Sequence, residues 1–235
     1  MTNFILIALA SYLIGSFPTA YLLVKYLAGK DIRKIGSGNI GAMNTVRALK
    51  ERSGKLAVVG FFAVLIIDMA KGALAVFLAQ RLIENSQQMI LSASPYHLSL
   101  ILAGFFVVLG HNYSVFLKFA GGRGAASLIG ILVYFNPLSF LVWGLPIVIC
   151  TILAQVVLEK IGFEAKINWK KISAIISIFG KQMAGRLFGL ILGPLALYYF
   201  YEPEIFLPIA AGTILLLIKN IPRFRGYFLG EKTPE

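Results

Sequence analysis

The sequence predicts an all-α integral membrane protein of about seven transmembrane helices, with the N-terminus outside and the C-terminus cytoplasmic. Three observations carry this. Of 235 residues, 58% are hydrophobic and 14% charged, at a mean hydropathy of +0.82. The apolar residues form continuous runs near the roughly 20 residues a helix needs to cross a bilayer, not the alternation of a barrel strand. The basic residues, finally, collect in segments that seven spans place on one side.

The first run, 4–24, follows Met1-Thr2-Asn3 with no basic segment before it, and reads as a retained span. Further spans are expected near 56–79 and 98–116. The stretch 125–158 is apolar throughout, and as one helix would run about 51 Å against a hydrocarbon core of ~30 Å. Asn136-Pro137 is a turn signal inside it, so two spans are expected, a short fourth and a fifth; one tilted, kinked helix is the alternative. An interfacial amphipathic helix is expected over 172–182, a sixth span over 187–201 and, past Glu202-Pro203-Glu204, a seventh over 205–218, followed by a basic tail.

The net charge is +12. All Lys and Arg except Lys71 and Arg81 fall in 25–55, 118–124, 159–186 or 219–235. Seven spans put these four segments on one face, which the positive-inside rule makes the cytoplasmic one. Topology and anionic lipid account for the charge, so no nucleic-acid partner is implied. The lone cysteine, Cys150, permits no internal disulfide. With no H-E-x-x-H and no Cys/His cluster, neither a metal site nor a cofactor is supported. There is no H-x-x-x-x-D acyltransferase signature, and no internal repeat of the kind inverted-repeat transporters carry.

Three polar segments remain, within a single domain over 1–235: 31–47, 110–127 and 219–231. The first holds Gly36, Ser37, Gly38, Asn39, Gly41, Asn44, Thr45 and Arg47. Glycines let backbone N–H groups converge on an anion, Ser and Asn add donors, and Arg47 suits a two-pronged contact with phosphate. An ordinary turn explains the composition equally well. The second runs from His111 through Lys118 to Gly121-Gly122-Arg123-Gly124, where free N–H groups, a helix dipole and a guanidinium meet. It lacks the pattern of a nucleotide-binding P-loop. The third holds Asn220, Arg223 and Glu231, and taken alone is a basic juxtamembrane tail. Asp68 and Lys71 stand i, i+3 within the second span. Intramembrane charges are expensive unless paired or functional. A mutually neutralising pair is the simpler reading, with Lys71 lining a polar site as the alternative.

Taken in order, these segments resemble the PlsY family of bacterial membrane acyltransferases. The first is similar to that family's D-I-R-x-x-G-S-G-N-P-G-A-T-N-x-x-R, the second to G-H-x-F-P-V-F-L-x-F-x-G-G-K-G-V-A-T and the third to E-N-I-x-R-L-x-x-G-x-E. Asp68-x-x-Lys71-Gly72 also resembles a family feature. The departures are Ile40 for Pro, Met43 for Thr, Ser114 for Pro, Arg123 for Lys, and the missing His before Asn220. The chain is also longer than typical members.

The resemblance implies an enzyme of phospholipid synthesis in the bacterial inner membrane, its site facing the cytoplasm. It would transfer an acyl group from acyl phosphate to glycerol-3-phosphate, and an enzyme producing acyl phosphate would be its partner. It implies catalytic roles for Ser37, His111 and Arg47. It implies substrate and phosphate binding by Gly38, Asn39, Gly41, Asn44, Thr45, Lys71, Lys118, Gly121, Gly122, Arg123, Gly124, Asn220, Arg223 and Glu231. Ser37 is expected to orient rather than to form an acyl-enzyme. A substrate phosphate oxygen or His111 is expected to take the proton. A transporter and a non-catalytic binder of anionic lipid precursors remain the alternatives.

Overall fold

The computed structural model describes residues 2–84, 94–164, 166–169, 178 and 182–230. Among these the chain is helical: α1 (Thr2–Ser16), α2 (Thr19–Ala28), α3 (Ala42–Lys50), α4 (Gly54–Glu84), α5 (Ser94–Asn112), α6 (Ala125–Phe135), α7 (Ser139–Lys160), α8 (Ala184–Phe200) and α9 (Pro203–Leu229). Five helical segments are long and apolar enough to cross a membrane: 3–28, 54–84, 95–117, 139–160 and 203–229. The apolar helices α6 and α8 are shorter. At ~1.5 Å per residue α6 reaches only about half a hydrocarbon core.

Local chemistry explains the breaks. The first span divides at Phe17-Pro18, where the imide has no N–H to continue the helix. The expected break in 125–158 falls at Asn136: its side chain accepts from Leu138 N at 2.9 Å, its carbonyl accepts from Ser139 Oγ at 2.7 Å, and Pro137 ends the run. Residues 42–50, expected as loop, form the amphipathic α3, burying Asn44, Thr45, Ala48 and Leu49 and exposing Met43 and Lys50. The tail also differs from expectation. Pro208 and Pro222 do not end α9, which carries the third segment on as helix to Leu229. The expected 172–182 helix lies mostly outside the described residues.

Glycines let backbones meet. A Cβ on Gly72 would strike the Ser127 backbone of α6, one on Gly130 the Met69 backbone of α4, and one on Gly15 the Val107 backbone of α5. Gly185, Gly189 and Gly193, at i, i+4, i+8, press α8 onto Cys150, Ile147 and Trp143 of α7. Large side chains such as Leu9, Phe62, Leu141 and Phe188 point outward, as they must when lipid is the solvent. A main core runs through α1 and α4–α9, and a smaller one seats Ile32 and Ile40 of the first segment against Leu117 of the second.

Candidate functional site

The first segment is held by its own side chains. Asp31 accepts from Arg33 N at 3.0 Å and from the Arg33 guanidinium at 2.7 Å, which draws its carboxyl down to about 2. Gly36 and Gly38 take left-handed backbone, at φ +49° and +66°. A methyl on Gly36 would meet Asn44 Oδ1 at 2.7 Å and Arg47 Cδ at 2.9 Å, so the stem of Arg47 lies across this glycine. Asn44 is buried, and its amide donates to the carbonyls of Ile32, Ile35 and Asn39 at 2.9–3.1 Å. Thr45 is buried too and donates to Gly41 O at 3.1 Å. These donors face the loop backbone, while the buried Asn44 Oδ1 has no partner among the described residues. They shape the loop that presents Ser37, Gly38, Asn39 and Gly41.

The second segment folds back beneath the end of α5. Gly122 N donates to His111 O at 2.8 Å, and Gly122 packs so closely on the His111 ring that any side chain would overlap it. Ser114 donates to Ser16 O at 2.5 Å, tying the turn to the end of α1. Gly124 begins α6 at φ +86°. Lys118 and Phe119, both exposed, also adopt positive φ, 55° and 62°, a conformation that costs non-glycine residues about 1–3 kcal/mol.

The third segment reaches the second directly. Lys219 Nζ donates to Asn112 O at 2.9 Å and sits 4.1 Å from the Tyr113 ring centroid. Asn112 donates to Leu215 O at 3.3 Å. Asn220 is buried and donates to Leu216 O at 2.7 Å, and no donor among the described residues reaches its Oδ1. The buried Nε of Arg223 has no protein partner among the described residues.

These contacts gather cations. Arg123 lies within electrostatic reach of Arg223, Arg186 and Arg47; burial first, then these charges, press its guanidinium down to about 9. Arg223 is within reach of Arg47, and Lys219 of Arg123. Ion pairs among the described residues join Lys30 to Glu51, Arg33 to Asp31, Lys71 to Asp68 and Arg81 to Glu84, with His111 4.0 Å from Asp68. None neutralises the cluster. Two like charges ~8 Å apart repel by about 2 kcal/mol at an effective dielectric of ~20. An anion of more than one charge is the ligand such a group suits.

A second polar centre lies beside the first. Lys71 Nζ is 2.6 Å from both Asp68 Oδ1 and the carbonyl of Phe17, the residue at the break between α1 and α2. Its side chain is 6% exposed. His111 Nδ1 faces the same Asp68 oxygen at 4.0 Å. The expected neutralising pair with Asp68 is thus present, and two of the three ammonium donors are held by protein acceptors.

Of the residues expected from sequence, Arg47, Arg123 and Arg223 come together, and Gly121, Gly122 and Gly124 form the loop that carries Arg123. Lys118 is exposed at the turn before it. Glu231 lies outside the described residues. Sequence reading missed Lys219 and Arg186. Each sits at the end of an apolar run, where topology already explains a basic residue, and only tertiary contact sets them apart.

Comparison with known proteins gives an independent reading. The family model described as glycerol-3-phosphate acyltransferase matches residues 5–226. The chain is 43% identical over 143 residues to glycerol-3-phosphate acyltransferase 2 of Moorella thermoacetica, an alignment covering 59% of this chain and 64% of that one. It is 42% identical over 129 residues to the glycerol-3-phosphate acyltransferase of Carboxydothermus hydrogenoformans, covering 55% of this chain and 56% of that one. The chain thus spans less than two thirds of these curated relatives. In structure it is similar to the integral membrane glycerol 3-phosphate acyltransferase PlsY (YgiH) in its glycerol 3-phosphate form, with TM-score 0.62 and 22% identity over 99% of this chain and 95% of that one. At that identity the likeness is one of fold.

Proposed function

The chain belongs to the glycerol-3-phosphate acyltransferase family, and from that premise we propose that it moves an acyl group from acyl phosphate to glycerol-3-phosphate. The products are 1-acyl-glycerol-3-phosphate and phosphate, in the first step of phospholipid synthesis. One observation carries the reading. Arg47, Arg123 and Arg223, one from each motif segment, lie within electrostatic reach of one another with no carboxylate among the described residues to neutralise them. Both substrates bring a phosphate, so the cluster suits the pair.

In the transfer, the glycerol hydroxyl oxygen forms a bond to the acyl carbon while the bond from that carbon to the phosphate oxygen breaks. The guanidiniums stabilise charge on the carbonyl oxygen and the departing phosphate and hold the two head groups in register. The hydroxyl proton passes to a phosphate oxygen, whose second pKa is near 6. His111, buried between Asp68 and Gly122, fixes the glycine loop. Ser37, Gly38, Asn39 and Gly41 line the anion site and orient the acceptor, and Lys118 guards its rim. Counting the short α6 and α8 with the five longer spans, the chain crosses a bacterial inner membrane seven times, local thinning of the bilayer making up the length α6 lacks. Its N-terminus is outside, and its C-terminus and all three motif segments face the cytoplasm, as their basic charge favours. An enzyme that phosphorylates or phosphorolyses an activated acyl group supplies the donor.

The test is phosphate release by the purified protein given acyl phosphate, with and without glycerol-3-phosphate, with lipid analysis of the product. Release that depends on the acceptor and yields lysophosphatidic acid supports the proposal. Folded protein that binds acyl phosphate without turnover overturns it.

A further inference from the structure

Arg186 belongs to none of the three motif segments. It lies in the first turn of α8, whose start is fixed on two sides. Gly185 packs on the backbone of Cys150 and Thr151 in α7. Gln182, fully buried, accepts from Gly185 N at 3.1 Å and donates to the hydroxyl of Tyr227 in α9 at 3.2 Å. Tyr227 follows Arg223 by four residues and Arg186 follows Gln182 by four, so each arginine stands one turn from this anchored contact. That arrangement puts Arg186 within electrostatic reach of both Arg223 and Arg123. Its hydrogen-bond partner among the described residues is the thioether of Met183 at 3.6 Å, a weak acceptor for a guanidinium. Tyr227 donates in turn to Glu164 at 2.5 Å, and the half-buried Arg186, beside two other arginines and held in place on both flanks, has no carboxylate at ion-pair distance among the described residues.

We infer that Arg186 is a phosphate-binding residue, a fourth guanidinium completing the site formed by Arg47, Arg123 and Arg223. The inference rests on the acyltransferase reading and extends it. The ligand chemistry is a phosphate group, brought either by glycerol-3-phosphate or by acyl phosphate.

The experiment compares the full-length protein with R186M, R186K and R186Q, and with R225M as an exposed-cation control from α9. KM is measured separately for glycerol-3-phosphate and acyl phosphate, and the shift in thermal midpoint is measured with added pyrophosphate. R186M is expected to raise KM at least tenfold for one substrate, which identifies the phosphate held, and to lose most of the pyrophosphate shift. Its midpoint without ligand should stay level, and R186K should recover part of the affinity. If R186M does not fold, R186Q takes its place. Both KM values within twofold of wild type, with the pyrophosphate shift intact, overturn the inference while leaving the enzyme reading standing. Wild type that binds pyrophosphate through Arg186 yet transfers no acyl group overturns the enzyme reading and keeps the anion site. Wild type with neither activity nor a pyrophosphate shift overturns both.

Discussion

Two polar centres sit side by side in this protein and are built on opposite plans. The Asp68–Lys71 centre is closed: carboxylate, ammonium and the Phe17 carbonyl satisfy one another, and His111 leans on the same oxygen. The cluster of Arg47, Arg123, Arg186, Lys219 and Arg223 is open, since its charges repel and no carboxylate among the described residues answers them. A closed centre holds structure, and an open one receives a ligand. Both are ionisable residues in apolar surroundings, so that property alone does not tell a scaffold from a site. Where the counter-charge lies does.

The largest test of the contrast is D68A. It leaves the buried Lys71 ammonium unpaired and should lower stability by about 3–5 kcal/mol; the double variant D68A/K71M should recover most of that in thermal denaturation. An unchanged midpoint for D68A would erase the distinction from the closed side. On the open side, R123A and R223M should each lower kcat/KM by roughly 10²–10³, about 2.7–4 kcal/mol of transition-state stabilisation, while the midpoint holds or rises because repulsion is relieved. A large fall in midpoint with little kinetic effect would make the cluster structural. G122A should cost about 1–3 kcal/mol through overlap with the His111 ring.

One pH effect refines the picture. The smallest effect belongs to the exposed Asp31–Arg33 pair. With Asp31 drawn down to about 2 from 3.8, its contribution is full above about pH 5 and is lost as pH falls through 2, so D31N should differ from wild type only slightly, and the difference should vanish below pH 2.

Much of this was legible in the sequence where local chemistry decides. Asn136-Pro137 marks its own break because the signal is a turn dipeptide, and Arg47, Arg123 and Arg223 stand in segments whose glycines already announce unusual backbone. The amphipathic α3 was overlooked because its polar face, with Asn44 and Thr45 turned inward on the loop, disguises the helical period. The Asp68–Lys71 pair is legible from its i, i+3 spacing, but the Phe17 carbonyl that α1 brings to Lys71 across 54 residues is not. Arg186 is silent for the same reason: a basic residue at a span's edge has a sufficient local explanation, and only the Gln182–Tyr227 contact brings it to Arg223. Asn44 is legible only in part, because amides in glycine loops bind anions and staple loops with the same donors, and its staple to Ile32, Ile35 and Asn39 needs the folded loop.

The break in the first span has a consequence for how the chain enters its membrane. The Phe17 carbonyl, freed where α1 gives way to α2, is answered by Lys71, which α4 carries together with Asp68. That carbonyl keeps a local donor, Thr19 N at 3.0 Å, so the first span carries no orphan acceptor of its own; the second, alone in lipid, would expose its ion pair, unfavourable by several kcal/mol. Docked, the first span gives Lys71 a further acceptor. The second span is thus a poor passenger singly and a better one as a hairpin with the first, which favours insertion of the pair as a unit, early in synthesis, before any of the arginines has its neighbours.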